Sequence, residues 1–180
     1  MACIVKGAAG RGRARTALGV AACVAAALLT ATPAAASAAA PAPACRSGQL
    51  AAGGAERVGA NAVMVTVVNE GPGPCVLRGH PTVAVAGQGA PSRARSLTVV
   101  RQGPARPVQL EVGAAAQTRI GFVPVLGEAD GYCASGAEPF AAPSMVIGVA
   151  GSGLQLAPDD GGNFALCGNA VRATAFRPAS

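Results

Sequence analysis

Cysteine carries the plainest chemistry in this chain of 180 residues. Of its six cysteines, Cys45, Cys75, Cys133 and Cys167 lie beyond a leader-like N-terminal segment and form an even set. Metal-binding or redox-active thiols come in close pairs such as Cys-x-x-Cys. Here neighbouring cysteines beyond the leader stand at least 30 residues apart, so a zinc site has little support. An even set in a small exported domain reads instead as two disulfides made in an oxidising compartment. Of the three possible connectivities, Cys45–Cys75 with Cys133–Cys167 is favoured, because each bridge staples neighbouring strand segments. Loops of that length are worth roughly 3–4 kcal/mol per bridge on the chain-entropy account.

The other reactive side chains are sparse. His80 is the only histidine, so any Ser-His-Asp or Cys-His site would have to use it. It precedes Pro81 at what reads as a turn entering a strand, and no catalytic role is assigned to it. Asp159-Asp160-Gly161-Gly162-Asn163 offers oxygens to Ca²⁺ but lacks the EF-hand spacing, and Asp and Gly are also the residues of tight turns. Glu128 and Asp130 are two nearby carboxylates, the best pair for acid/base hydrolysis, although in a Gly-rich loop such groups are usually solvated. Arg93 and Arg95, in Ala90-Pro91-Ser92-Arg93-Ala94-Arg95, have the look of a protease-directed P1 residue. No catalytic, cofactor-binding or metal-ligating residue is expected, and no cofactor.

The elements that must position these groups are short strands. From Cys45 onward no stretch free of both Gly and Pro exceeds eleven residues, and each costs a helix interior about 1 (Gly) or 3 (Pro) kcal/mol. Val-rich or alternating runs bounded by turn residues predict strands at Ala62 to Asn69, Thr82 to Ala86, Leu97 to Arg101, Val108 to Val112, Gln117 to Val123, Met145 to Val149, Leu154 to Leu156 and Val171 to Phe176. In Gln117 to Val123, Thr118, Ile120 and Phe122 share one face, with Arg119 and Gly121 on the other. Seven to nine such strands predict an antiparallel, immunoglobulin-like β-sandwich with Greek-key connections and two disulfides.

The first 38 residues have the form of a cleaved signal peptide. Lys6, Arg11, Arg13 and Arg15 precede the thirteen-residue apolar run Ala17 to Leu29, and Ala36-Ser37-Ala38 is a small-residue cleavage site. As a helix that run reaches roughly 20 Å, short of the roughly 30 Å hydrocarbon core. Lipidation at Cys23 or Cys45 is the rival, but acylating Cys45 would leave an odd cysteine. Residues 39–44 read as a disordered Ala/Pro leader, and residues 45–180 as one domain. Four of the 14 basic residues belong to the signal, so ten remain against eight acids. The ten arginines are scattered singly and Trp is absent, which excludes a nucleic-acid surface. No stable membrane insertion is expected after cleavage, and the product is expected to be extracellular or associated with the cell envelope.

Cys45, the strand ending Val65-Thr66-Val67-Val68-Asn69-Glu70-Gly71, the block Pro74-Cys75-Val76-Leu77-Arg78-Gly79-His80-Pro81, the pair Tyr132-Cys133 and the late Cys167 together carry a family likeness. The chain resembles, over about residues 45–176, secreted actinobacterial proteins with the domain of unknown function 4232. His80 departs from the family pattern, in which that position is more often aromatic, usually Tyr. The resemblance implies an immunoglobulin-like sandwich, export and envelope or extracellular residence, and implies no activity. The function expected is a non-catalytic binding module with an unknown extracellular partner. A secreted protease inhibitor and a carboxylate-using secreted hydrolase are the alternatives.

Overall fold

The computed structural model describes residues 40–87, 90–127 and 131–179. The expected signal peptide and the carboxylates Glu128 and Asp130 lie outside the described residues. Among those residues there are fourteen strands, one 3₁₀ turn (Pro91–Arg93) and no α-helix. In chain order the first seven are β1 (Leu50–Arg57), β2 (Ala62–Asn69), β3 (Cys75–Leu77), β4 (Thr82–Ala86), β5 (Arg95–Ser96), β6 (Thr98–Gln102) and β7 (Val108–Leu110). The rest are β8 (Ala115–Gly121), β9 (Pro139–Ala142), β10 (Ser144–Val149), β11 (Ser152–Leu156), β12 (Phe164–Cys167), β13 (Ala170–Thr174) and β14 (Arg177–Pro178). The count exceeds seven to nine in part because four strands have only two or three residues, too few to leave a period-2 signal. β1 escapes notice for another reason: its Gly53-Gly54 pair reads as a loop.

Two main sheets form the sandwich. One runs β1-β2-β8-β13-β6 with β14 beside β8, and the other runs β11-β10-β4-β5. Strand with strand, pairing is antiparallel except for β13 with β6, which is parallel. That exception follows from a change of sheet. The Gly- and Pro-free run Ser92 to Gln102 is divided at Leu97, whose N–H donates to Val83 O in the small sheet, while the N–H of Thr98 donates to Asn169 O beside β13. Leu97 itself is buried in the core, which makes it the pivot.

One hydrophobic cluster joins the layers. Val63, Val65, Val67, Ile120 and Val171 come from the large sheet, and Val83, Val85, Met145 and Ile147 from the small one. Phe164 and Leu166, both fully buried, come from the β9–β12 ribbon. The alternation expected for β8 holds: Thr118, Ile120 and Phe122 are buried while Arg119 is exposed. Every buried side-chain N or O among the described residues has a hydrogen-bond partner, as close packing around polar atoms demands.

Asn69 is the central polar contact and is completely buried. Its Nδ2 donates to the carbonyls of Gly73 (3.0 Å), Leu110 (3.1 Å) and Glu111 (3.2 Å), and its Oδ1 accepts from the N–H of Gly71 (3.0 Å). Its backbone pairs with Ala114 and Gly113 in the β7–β8 turn. One side chain therefore shapes the turn from Glu70 to Pro74 and ties it to β7. A Cβ at Gly71 would sit 2.5 Å from Gln49 Cγ and 3.1 Å from Asn69 Oδ1, so the turn also needs glycine there.

The turn delivers Cys75 to Cys45, and the second bridge joins Cys133 to Cys167. These are the pairs favoured from the sequence. The first bridge also corrects the extent of the leader. With Cys45 held at Cys75, the backbone before it lies along β3: Val76 N–H donates to Pro43 O (2.7 Å) and Cys45 N–H to Val76 O (3.0 Å). Pro43 and Ala44 are thus paired residues.

Replacing Asn69 tests this centre. Asn69→Asp at neutral pH turns a carboxylate toward three carbonyls and is expected to destabilise by at least about 3 kcal/mol. Urea unfolding should show part of that loss recovered at acidic pH, where the protonated carboxyl regains a donor.

Candidate functional site

A cavity of about 340 Å³ opens where three segments meet: the chain after β3, the β10–β11 turn and the segment after β13. Its walls include Arg78, His80, Thr82, Ala150, Ser152 and Phe176. Gly79, at φ 92°, makes the reversal between Arg78 and His80, a conformation that favours glycine. The N–H of Phe176 donates to Gly79 O at 3.3 Å, which docks the final segment against this reversal. Phe176 is buried and forms an apolar wall; Arg78 is exposed at the rim.

His80 lines this cavity and lies 3.2 Å, through Nε2, from the carbonyl oxygen of Gln102. A carbonyl only accepts, so in the neutral ring Nε2 carries the proton and Nδ1 is left as an acceptor. Arg78 enters no side-chain ion pair among the described residues, where the ion pair is Arg57 with Asp160. The cavity thus presents a cation, a ring nitrogen, the side chains of Thr82 and Ser152, and an aromatic wall. That set suits recognition of a polar or anionic group with an apolar part.

The turn at its edge is strained. Val149 pairs directly with Ser152, so Ala150-Gly151 is a two-residue hairpin loop, and both residues have positive φ, 49° and 79°. That is the pattern of a type I′ turn, where Asn-Gly is the usual choice and alanine the costly one.

The remaining sequence candidates fall elsewhere. All four cysteines are consumed in bridges. Arg93 ends the 3₁₀ turn and is exposed, while Arg95 pairs within β5 and lays its guanidinium 4.7 Å from the centre of the Phe140 ring. Leu126 and Tyr132 pair through two backbone hydrogen bonds of 2.9 and 2.8 Å, while Glu128 and Asp130 lie outside the described residues. Tyr132 is exposed there.

The Asp159–Asn163 turn clasps β1. Asp159 Oδ1 accepts from Ala55 N–H at 2.9 Å, Asp160 pairs with Arg57, and Arg57 Nη2 donates to Asn163 O at 2.7 Å. Both carboxylates therefore serve protein donors. Among the described residues no three His, Cys, Asp or Glu side chains converge as a metal site would need. The cavity residues Arg78, Thr82, Ser152 and Phe176 were not singled out by sequence. Arg78 and Thr82 flank His80, but Ser152 and Phe176 lie far along the chain from them, so no local signal could have grouped the set.

Two measurements check this description. The Gly162 N–H and then the Arg57 guanidinium hold the Asp160 carboxyl below the usual carboxylate range. A group with a lowered folded-state pKa contributes stability above its unfolded value and loses it as pH falls through the folded value. Wild type and Asp160→Asn should therefore differ most in urea midpoint at neutral pH and converge in strong acid. Separately, Ala150→Gly should raise stability by roughly 0.5–1 kcal/mol by relieving the positive φ, read as a higher thermal midpoint.

No curated protein and no solved structure matches the chain. Residues 45–177 match the family described as "Domain of unknown function (DUF4232)". That span takes in both bridges, the Asn69 turn and every residue named in the cavity, and the chain belongs to this family.

Proposed function

We propose that this protein is an exported, non-catalytic binding module of the actinobacterial cell envelope or its surroundings, which takes its ligand in the cavity lined by Arg78, His80 and Phe176. The observation that carries the proposal is the cavity itself: a concave site of about 340 Å³ whose walls come from three crosslinked or hydrogen-bonded segments. Pre-formed sites lose little entropy on binding, and an apolar wall with a few polar groups is the usual make-up of a ligand site. Export is supported by the basic, apolar and small-residue order of residues 1–38, and by two bridges of the kind oxidising compartments maintain. No helix among the described residues is long and apolar enough to cross a membrane.

Retention on isolated cell wall and on immobilised culture-fluid proteins provides the test. Wild type should be retained above an unrelated secreted domain, and Arg78→Glu should weaken retention by roughly tenfold, the effect of losing one charge-assisted contact. Equal retention of Arg78→Glu, or none above the unrelated domain, would sink the proposal.

A further inference from the structure

Gly121 occupies the last position of β8, on the outer face of the large sheet. Arg119 precedes it by two residues on the same face, and Arg172 of β13 is its direct partner. Glycine weakens a strand, and in one it often marks close approach of another group. Nothing in the fold demands glycine here. Gly121 is not among the positive-φ residues, and a Cβ would meet only ordinary contacts: Arg119 Nη1 at 3.5 Å, Asn61 O at 3.8 Å and Arg172 Cβ at 3.9 Å.

The missing side chain leaves a notch of about 100 Å³ bordered by Asn61, Gln102, Arg119, Arg172 and Thr174. A second hollow of about 110 Å³ shares Gly121, Phe122 and Arg172 with it and is walled by Val100, Val123 and Ala170. Val100 and Val123 are each 48% exposed, an unusual placing for two valines beside two arginines. Neither guanidinium is ion-paired among the described residues. On the same face Glu56 lies two strands from Arg119, with Met64 between them in the register.

We infer that this notch binds a carboxylate joined to a short apolar group. Arg119 and Arg172, set on neighbouring strands with the glycine between them, supply planar donor forks matched to a two-oxygen anion. The carboxamides of Asn61 and Gln102 add donors, and the valine hollow covers the apolar part. The site lies on the sheet face and shares no lining residue with the end cavity, meeting it only through Gln102, whose carbonyl faces His80, so its test is separate from that of the proposed function. The carboxylate is either that of a free short-chain acid or the terminus of a peptide.

Titration of the protein with butyrate, with N-acetylvaline and with N-acetylvalinamide, followed by amide NMR at constant ionic strength, tests the site. Butyrate, N-acetylvaline or both should shift the amides of Gly121, Phe122 and Arg172, and the neutral valinamide should not. Butyrate alone would identify a free acid, and N-acetylvaline alone a chain terminus. Arg119→Gln and Arg172→Gln should each weaken binding by about tenfold. Gly121→Ala, which the surrounding contacts accommodate, should weaken binding while keeping the thermal midpoint at or above that of wild type. Shifts centred elsewhere, equal response to the valinamide, equal response to inorganic phosphate, or binding unchanged in the three variants would overturn the assignment.

Discussion

The fold turns on one buried carboxamide. Asn69 brings a polar group into a core of small aliphatics, where it can exist only if both its amide nitrogen and its carbonyl oxygen find hydrogen-bond partners. Four backbone partners meet that demand, and they belong to two different turns. The consequence extends along the chain. The Glu70–Pro74 turn places Cys75, Cys75 anchors Cys45, and the Cys45 segment joins the edge of β3. β3 then leads directly into Arg78, Gly79 and His80, so the cavity wall inherits its position from Asn69. A donor-rich side chain of this length is required, because an aliphatic residue would take the carboxamide donor away from the carbonyls of Gly73, Leu110 and Glu111.

Charge in this protein is a matter of placement rather than amount. Ten arginines against eight acids make only a small excess beyond residue 38. Arg57 is absorbed in holding the Asp159–Asn163 turn against β1, and Arg95 in stacking on Phe140. Arg78, Arg119 and Arg172 are left facing concave surface. Their cationic character is therefore local, and it sits on strands and turns that are already crosslinked or fully paired. A rigid scaffold favours recognition because few rotamers and no backbone segment need ordering when a ligand arrives.

Much of the architecture was legible because strands bury alternate residues. Ala62 to Asn69 and Thr82 to Ala86 coincide with β2 and β4, and the buried set Thr118, Ile120 and Phe122 follows the period of two. The bridges were legible because loops of about thirty residues join segments that pack as neighbours. β1 was hidden by Gly53-Gly54, whose value emerges only in three dimensions: a Cβ on Gly54 would lie 3.0 Å from Asp159 Oδ2. The division of Ser92 to Gln102 between two sheets was hidden as well. Leu97 looks like any other apolar residue until its neighbours on both sheets are known.

The amino-acid sequence alone settles the class of this protein: all-β, disulfide-stapled, with the turn Asn69-Glu70-Gly71 ahead of Cys75 and the family signature around it. Those features are local, set by the period of side chains, by turn chemistry and by residue type, and they survive without knowledge of contacts. Only the tertiary structure decided which residues share a surface. Arg78 meets Ser152 and Phe176, and Arg119 meets Arg172 across Gly121, because strand register and sheet packing bring together positions separated by scores of residues. A binding site is a set of distances, and those distances arise only when the hydrophobic faces of the two sheets close on a common core.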